Sequence, residues 1–151
     1  MMAPADPPLR PLPQDEPGIL AIHCSDPRYQ THFQDFLRNE LKLPRYALIA
    51  VPGGAHFLTL LDYLPKFSWA GWRWMKFMVN LTRPERVILL AHDDCRWYVE
   101  TGFVRHPEGL RAQVVNDLRK VRASFLQRFG GLRVELYFAR LQDGRCEFEA
   151  L

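Results

Sequence analysis

Four short segments rich in apolar residues recur along the chain, and stretches with helical spacing separate them. A continuous apolar run of this length is typical of a strand that a sheet buries on both faces. The segments read GILAIHC, YALIAV, RVILLA and RVELYFAR, at residues 18–24, 46–51, 86–91 and 133–140. Pro52, Gly53 and Gly54 follow the second segment, where the backbone can turn sharply. The pattern therefore predicts four strands, the second of which ends in a glycine turn.

Between the strands, apolar residues recur every three or four positions, which is the spacing of one face of a helix. Residues 29–41 predict a crossover helix that stops before Pro44, and residues 55–81 predict a segment that is mostly helical. Pro107 suits the first turn of a third helix. The apolar face of this helix is predicted to continue until Gly130, through Leu110, Val114, Leu118, Val121, Phe125 and Phe129.

The last part of the chain predicts a hairpin. Asp143 and Gly144 precede a further short run at residues 146–151, and Asp-Gly is a preferred pair in tight turns between antiparallel strands. Strands that alternate with helices form a mostly parallel sheet that is covered on both faces. We therefore expect an α/β fold, in which helices flank a mostly parallel central β-sheet and an antiparallel C-terminal edge strand closes it.

Composition and charge narrow the classes of function. With 151 residues, 48% of them hydrophobic, the chain suits a globular protein, and we expect a proline-rich extended arm at residues 1–17 and one α/β domain at residues 18–151. The formal net charge of +3 is far from the basic stripe that nucleic-acid binding needs.

No apolar stretch is long enough to span a membrane, and the arm has no apolar run that suits a secretory signal. Three cysteines are an odd number, so we expect a cytoplasmic protein without a disulfide framework.

Residue types that bind metals follow the first and third predicted strands. Cys24, Asp26 and Arg28 come after the first strand, and His92 and Cys95 come after the third. We expect these groups to lie together, because the carboxyl ends of parallel strands meet at one edge of a sheet. Two cysteines and a histidine with an open fourth position are a recognised catalytic zinc set, and two thiolates neutralise a dication. The sequence therefore predicts a zinc site at this edge.

The motifs C-x-D-x-R and H-x-x-C, in these places, resemble the metal-site signature of the β-class carbonic anhydrases. The resemblance implies that Cys24, His92 and Cys95 hold Zn²⁺ and that Asp26 and Arg28 form a catalytic Asp–Arg pair. It also implies a zinc lyase that hydrates carbon dioxide reversibly to bicarbonate by attack of zinc-bound hydroxide. Members of the family also have a closed form, in which the aspartate takes the fourth zinc position and the Asp–Arg pair is broken.

The glycine turn and the final hairpin extend the resemblance to most of the chain. Gly53 and Gly54 stand in the place of the family's glycine-containing turn, and they are candidate substrate-binding residues. The resemblance further implies a homodimer or a dimer-based oligomer, with carbon dioxide and bicarbonate as small-molecule partners and no nucleic acid.

Two departures from the family pattern leave other functions open. Arg96 follows Cys95 where the family usually has glycine, and Val51 and Pro52 replace the usual residues before the glycine turn. A changed pocket could direct the same zinc hydroxide at a related linear molecule such as carbonyl sulfide or carbon disulfide. A non-catalytic, carbonic-anhydrase-like zinc protein would result if Arg96 or Asp26 filled the fourth zinc position.

Several further residues have a structural interpretation, a functional one, or both. The aromatic and basic segment at residues 67–77 suits a dimer interface or a core helix, and it also suits a helix on a membrane surface. His56, after the glycine turn, is a candidate proton relay. Asp93 and Asp94 suit a solvated loop or a helix N-cap, and Cys146 suits a structural role. A basic binding module on the long helix would use Arg119, Lys120 and Arg122.

Overall fold

A five-stranded sheet forms the centre of the protein. The computed structural model describes residues 18–60 and 64–151, and the predicted arm at residues 1–17 lies outside them. The strands are β1 Gly18–Cys24, β2 Ala47–Val51, β3 Pro84–His92, β4 Arg133–Gln142 and β5 Arg145–Ala150. They lie in the order β2-β1-β3-β4-β5, and every neighbouring pair is parallel except the antiparallel pair of β4 and β5. The predicted α/β class and the antiparallel C-terminal edge strand are confirmed.

Helices lie between consecutive parallel strands. Helix α1 spans Gln30–Asp35 and continues as a π-helical turn at Phe36–Glu40. A 3₁₀ turn at Gly54–Thr59 and helix α2 at Pro65–Thr82 connect β2 to β3. Helix α3 at Arg96–Glu100, a 3₁₀ turn at Pro107–Gly109 and helix α4 at Leu110–Arg128 connect β3 to β4. These crossovers return the chain to the same end of the sheet, as parallel pairing requires.

The sheet has an apolar layer on each face, because side chains alternate along its central strands. In β1, Leu20 and Ile22 belong to one layer, and Ile19 and Ala21 belong to the other. The first layer packs against α2 and α4, through Trp72, Met75, Leu118, Val121 and Phe125. The second packs against α1 and the π-helical turn, through Phe33, Phe36 and Leu37. The two layers fix β1 and β3 side by side, with their carboxyl ends at one edge.

The structure departs from the predicted elements for local reasons. The helix predicted at residues 29–41 changes into a π-helical turn, where the N–H of Leu41 donates to the carbonyl of Phe36 over 2.9 Å. The segment at residues 55–81 is divided between a 3₁₀ turn and α2. The pattern does not predict α3, because five residues are too few to show a period. β2 is only half-buried, because it lies at the edge of the sheet, where Leu48 is exposed.

Helix α2 carries the tryptophan-rich segment and is buried on one side only. Trp72 and Met75 lie in the core, and a Cβ added to Gly71 would come within 2.4 Å of the Phe57 ring. The exposed side of the helix presents large apolar residues, namely Phe67, Trp69, Trp74, Phe77 and Leu81. Among the described helices, none is both long enough and apolar enough to cross a membrane.

Candidate metal centre

The three predicted ligands lie together where β1 and β3 end. Cys24 is the last residue of β1, His92 is the last residue of β3, and Cys95 follows a short turn after β3. All three are buried, and their sulfur and ring nitrogen atoms lie within 4.8 Å of one another. This spacing suits a single ion bound by all three, since Zn–S and Zn–N bonds are about 2.0 to 2.3 Å long.

The ring of His92 is oriented as a metal ligand would be. Its Nδ1 lies 2.7 Å from the carbonyl oxygen of Asp93, which can only accept a hydrogen bond, so Nδ1 carries the proton. Nε2 therefore holds a free lone pair, and it is buried without a hydrogen-bond partner among the described residues. A Tyr29 ring at 4.2 Å, measured between centroids, helps to fix the imidazole plane. A cation within the cluster would satisfy this otherwise unpartnered nitrogen.

The two thiols are electrostatically linked. A hydrogen bond between them lowers the pKa of Cys24, against the effect of its burial, and raises the pKa of Cys95. The backbone N–H of Gly53 donates to Cys24 Sγ over 3.3 Å and adds to the stabilisation of a thiolate there. The pair thus favours one negative charge by itself, and a bound dication would favour the second.

Asp26 and Arg28 form a bidentate ion pair beside the cluster. The Arg28 Nη2 lies 2.7 Å from Asp26 Oδ2, Nε lies 3.1 Å from Oδ1, and the backbone N–H of Arg28 also donates to Oδ1 over 2.9 Å. These hydrogen bonds hold the pKa of Asp26 below its usual range. Asp26 Oδ2 lies 4.0 Å from the free Nε2 of His92. A carboxylate is therefore kept ionised next to the cluster, while its assignment as catalytic stays a prediction.

Asp94 is a member of this arrangement that sequence reasoning missed. Its Oδ2 accepts from Arg28 Nη1 over 3.0 Å, and its carbonyl accepts from Nη2 over 2.9 Å. The residue has a φ of 50°, a left-handed conformation that directs both groups at Arg28. Its place directly before Cys95 was the only available signal, because the contact joins residues that are 66 positions apart.

The glycine turn contacts the cluster through its backbone. Gly53 has a φ of 78°, and the Trp97 indole lies so close that an added Cβ would come within 2.2 Å of its Cδ1. Gly54 has a φ of 57° and packs on the backbone of Cys24, where an added Cβ would lie 3.1 Å from the backbone nitrogen. Both positions therefore require glycine, and their visible role is to support Cys24.

Comparison with known proteins identifies the fold. No family model and no curated protein matches the chain. The β-carbonic anhydrase CafA of Aspergillus fumigatus is 13% identical with a TM-score of 0.54, covering 88% of this chain and 75% of that one. CafD of the same fungus is 15% identical with a TM-score of 0.53, covering 91% of each chain. The chain has the β-carbonic anhydrase fold. A tetrameric β-carbonic anhydrase of Sordaria macrospora is 18% identical with a TM-score of 0.50, covering 87% of this chain and 80% of that one.

Against the expected β-carbonic anhydrase pattern, Arg96 is the bulkiest change beside the cluster. Its side chain is 58% exposed and forms ion pairs with Glu100 and, at 3.9 Å, with Asp94. The guanidinium thus has its partners at the surface, on the helix that follows Cys95. Its charge is therefore paired at the surface, and neither ion pair involves a residue of the cluster.

His56, a candidate proton relay, and Cys146, which we expect to be structural, both lie outside the cluster of candidate ligands. His56 is buried, and burial lowers its pKa against the opposing charge of Asp117. Its Nδ1 accepts from Trp97 Nε1 over 2.8 Å. Because an indole nitrogen only donates, Nδ1 is held unprotonated, which does not suit a proton relay. Cys146 lies in β5, away from the cluster, and burial raises its pKa to about 11.

Proposed function

We propose that the protein is a carbonic-anhydrase-like zinc lyase, which binds Zn²⁺ on Cys24, His92 and Cys95 and hydrates carbon dioxide reversibly to bicarbonate. The observation that carries the proposal is the buried Nε2 of His92, which has no hydrogen-bond partner in the described part of the chain. Two thiols lie within 4.8 Å of it, and an ionised carboxylate lies 4.0 Å away. Leaving such a nitrogen unsatisfied costs about 1 to 3 kcal/mol. A metal ion removes this cost and uses the electron pairs of all three side chains.

Zinc held by this ligand set supplies an acidified water molecule near neutral pH. The protein's own groups complete the site. Two thiolates balance the charge of the ion, so that the centre does not bind outside anions strongly. Asp26, whose Oδ2 lies 4.0 Å from His92 Nε2, would accept a hydrogen bond from a water molecule that the ion activates. A carboxylate in this place would orient the nucleophile toward carbon dioxide.

Arg28 keeps Asp26 in its accepting state. The two form a bidentate pair, which holds the carboxylate ionised and turned toward the guanidinium. In the closed form expected from the resemblance, this pair would be broken. The intact pair therefore supports the open form, in which Asp26 does not bind the metal. The hydrogen bond from Arg28 to Asp94 favours the same form, because it holds Arg28 in place beside Asp26.

Two alternatives differ in how far the structure supports them. The related linear molecules carbonyl sulfide and carbon disulfide would use the same groups, and no described contact discriminates among these substrates. A structural zinc site closed by Arg96 has less support, because that side chain is 58% exposed and paired at the surface. An exchangeable fourth zinc ligand would separate the enzyme from a structural site.

Assembly and location are part of the proposal. We propose a homodimer or dimer-based oligomer that is cytoplasmic and requires no nucleic acid. The exposed apolar side of α2 supports self-association, since Phe67, Trp74, Phe77 and Leu81 repeat at intervals of three, four or seven residues, the spacing of a helix–helix seam. Sedimentation of the wild type and a Trp74→Lys variant would test it, because a monomer in both would contradict the assembly.

The test of the zinc lyase uses two matched cysteine variants. Cys95→Ser removes a proposed ligand, whereas Cys146→Ser removes a half-buried thiol of β5 outside the cluster. We expect stoichiometric zinc and carbon dioxide hydration in the wild type and in Cys146→Ser. Both should be lost in Cys95→Ser, when assayed from about pH 6.5 to about pH 9. Zinc without hydration would move the proposal to another substrate or to a structural site, and equal zinc content in all three proteins would contradict the ligand set.

A further inference from the structure

A polar cavity lies on the far side of Trp97 and Tyr98 from the metal cluster. Its volume is about 540 Å³, and it opens between the 3₁₀ turn at Gly54–Thr59, the loop after α3, and α4. None of the three proposed metal ligands lines it. The residues that matter for its chemistry are His56, Phe103, Arg105, Gln113, Asp117 and Lys120. This volume is in the range that binds small organic molecules, about 300 to 1,000 Å³.

The floor of the cavity is built from buried polar groups with fixed orientations. Asp117 is 4% exposed and accepts from Tyr98 Oη over 2.9 Å and from Gln113 Nε2 over 3.1 Å. His56 is 5% exposed, and its Nδ1 already accepts from Trp97. The neutral ring therefore carries its proton on Nε2, which is 3.7 Å from Asp117 Oδ2. This separation is too long for a good hydrogen bond, so the Nε2–H is available to a molecule in the cavity.

The walls add positive charge and an apolar surface. Arg105 and Lys120 both line the cavity, and within the described part of the chain neither has an ion-pair partner. Two cations outweigh the single carboxylate of Asp117, which already accepts two hydrogen bonds. The Phe103 ring packs edge-on against His56, with centroids 4.6 Å apart, and gives one wall an aromatic face. Cations, donors and an aromatic wall together suit an anion with an apolar body.

We propose that this cavity binds a small organic oxyanion, a carboxylate or phosphate ester whose charged group pairs with Arg105 and Lys120 and whose body rests on Phe103. The site is separate from the metal centre and does not depend on the proposed lyase activity. Both head groups offer several acceptor oxygens, which is the chemistry that guanidinium, ammonium and imidazole N–H donors recognise. Trp97 reports on the site, because its indole N–H donates to His56.

Titration followed by nuclear magnetic resonance tests the proposal on the zinc-loaded wild type. The probes are benzoate and phenyl phosphate, which share an aromatic ring and differ in the charged head group. Inorganic phosphate is the probe that lacks an apolar body, and chloride is the control for ionic strength. The indole N–H signal of Trp97 is assigned by its loss in Trp97→Phe. We expect a saturable shift of this signal with at least one aromatic anion and none with chloride. A preference between benzoate and phenyl phosphate decides which head group the cavity takes.

The charge variants decide where the anion binds. Arg105→Gln combined with Lys120→Gln should weaken binding by about tenfold or more, whereas Arg119→Gln, an exposed change on the same helix outside the cavity lining, should not. Binding should persist in Cys95→Ser, which lacks a proposed metal ligand. The absence of saturable binding would overturn the proposal. So would binding that survives the double change and disappears in Cys95→Ser, because the anion would then occupy the metal.

Discussion

Replacing Gly53 by alanine tests whether the glycine turn supports the metal cluster through its backbone. Gly53 has a φ of 78°, and its N–H donates to Cys24 Sγ over 3.3 Å. A Cβ at this position would lie 2.2 Å from Cδ1 and 2.7 Å from Nε1 of the Trp97 indole. The variant therefore strains the backbone and also pushes the turn and the indole apart.

Two contributions set the expected magnitude. A residue with a side chain in the left-handed region costs about 1 to 2 kcal/mol. Overpacking against a fixed neighbour adds about 1 to 3 kcal/mol. Gly131→Ala is the matched control, because Gly131 has a φ of 77° and an added Cβ would meet nothing within 4 Å. We expect Gly53→Ala to lower the free energy of unfolding by about 1 to 3 kcal/mol more than Gly131→Ala does.

Two measurements check this prediction. Urea denaturation followed by circular dichroism gives the free energies of unfolding, and competition with a chelator gives the affinity for zinc. Gly53→Ala should weaken zinc binding about 10- to 100-fold, the usual effect of losing a group that holds a metal ligand. Gly131→Ala should leave it unchanged. Equal destabilisation by the two changes, with equal zinc affinity, would refute the reasoning, because Trp97 would then move aside without cost and the N–H would not matter.

Two further predictions concern ion pairs. Burial acts to raise the pKa of Glu135, but hydrogen bonds from Arg86 and Tyr137 outweigh it and lower the pKa from 4.5. The pair therefore stabilises the fold above this value and weakens as the pH falls through the lower, folded-state pKa. Glu135→Gln should cost about 1 kcal/mol near neutral pH and almost nothing at the acid end, as measured by denaturation at each pH. Asp94→Gly should change stability by less than about 1 kcal/mol, because relief of backbone strain offsets a lost surface ion pair. It should nevertheless lower carbon dioxide hydration at full zinc content, since Arg28 loses one of its partners, and unchanged hydration would contradict a positioning role.

The sequence predicts that Cys24, His92 and Cys95 lie together, because the relevant rule is topological. Cys24 and His92 each end a buried strand, and strands that are parallel in a sheet end at the same edge. The spacing within each motif then brings Cys95 and Asp26 to the same place. This prediction requires no knowledge of side-chain packing, so the hydrophobic pattern and the residue types are enough to predict the cluster.

Contacts between distant side chains could not be predicted in this way. The hydrogen bonds from Arg28 to Asp94 depend on a left-handed φ of 50° at Asp94. Residue type alone does not predict that conformation for an aspartate. Helix α2 shows a related limit. Its composition is apolar on nearly every side, and only the position of the core reveals that Trp72 is buried while Trp74 is exposed. The hydrophobic pattern predicts that a segment is helical, whereas the elements that pack against the helix decide which of its faces is buried.

Trp97, which follows the H-x-x-C motif, contacts both the glycine turn and His56. A tryptophan at position 97 lies over Gly53, where any side chain would collide with its ring. The same indole donates to His56 and so fixes which ring nitrogen faces the polar cavity between the 3₁₀ turn at Gly54–Thr59 and α4. Exchanging Trp97 for a smaller residue would therefore loosen the turn that supports Cys24 and free the tautomer of His56 together. Trp97 and Tyr98 thus contact both sites, since Trp97 lies against Gly53 and donates to His56, while Tyr98 packs with the two cysteines and donates to Asp117.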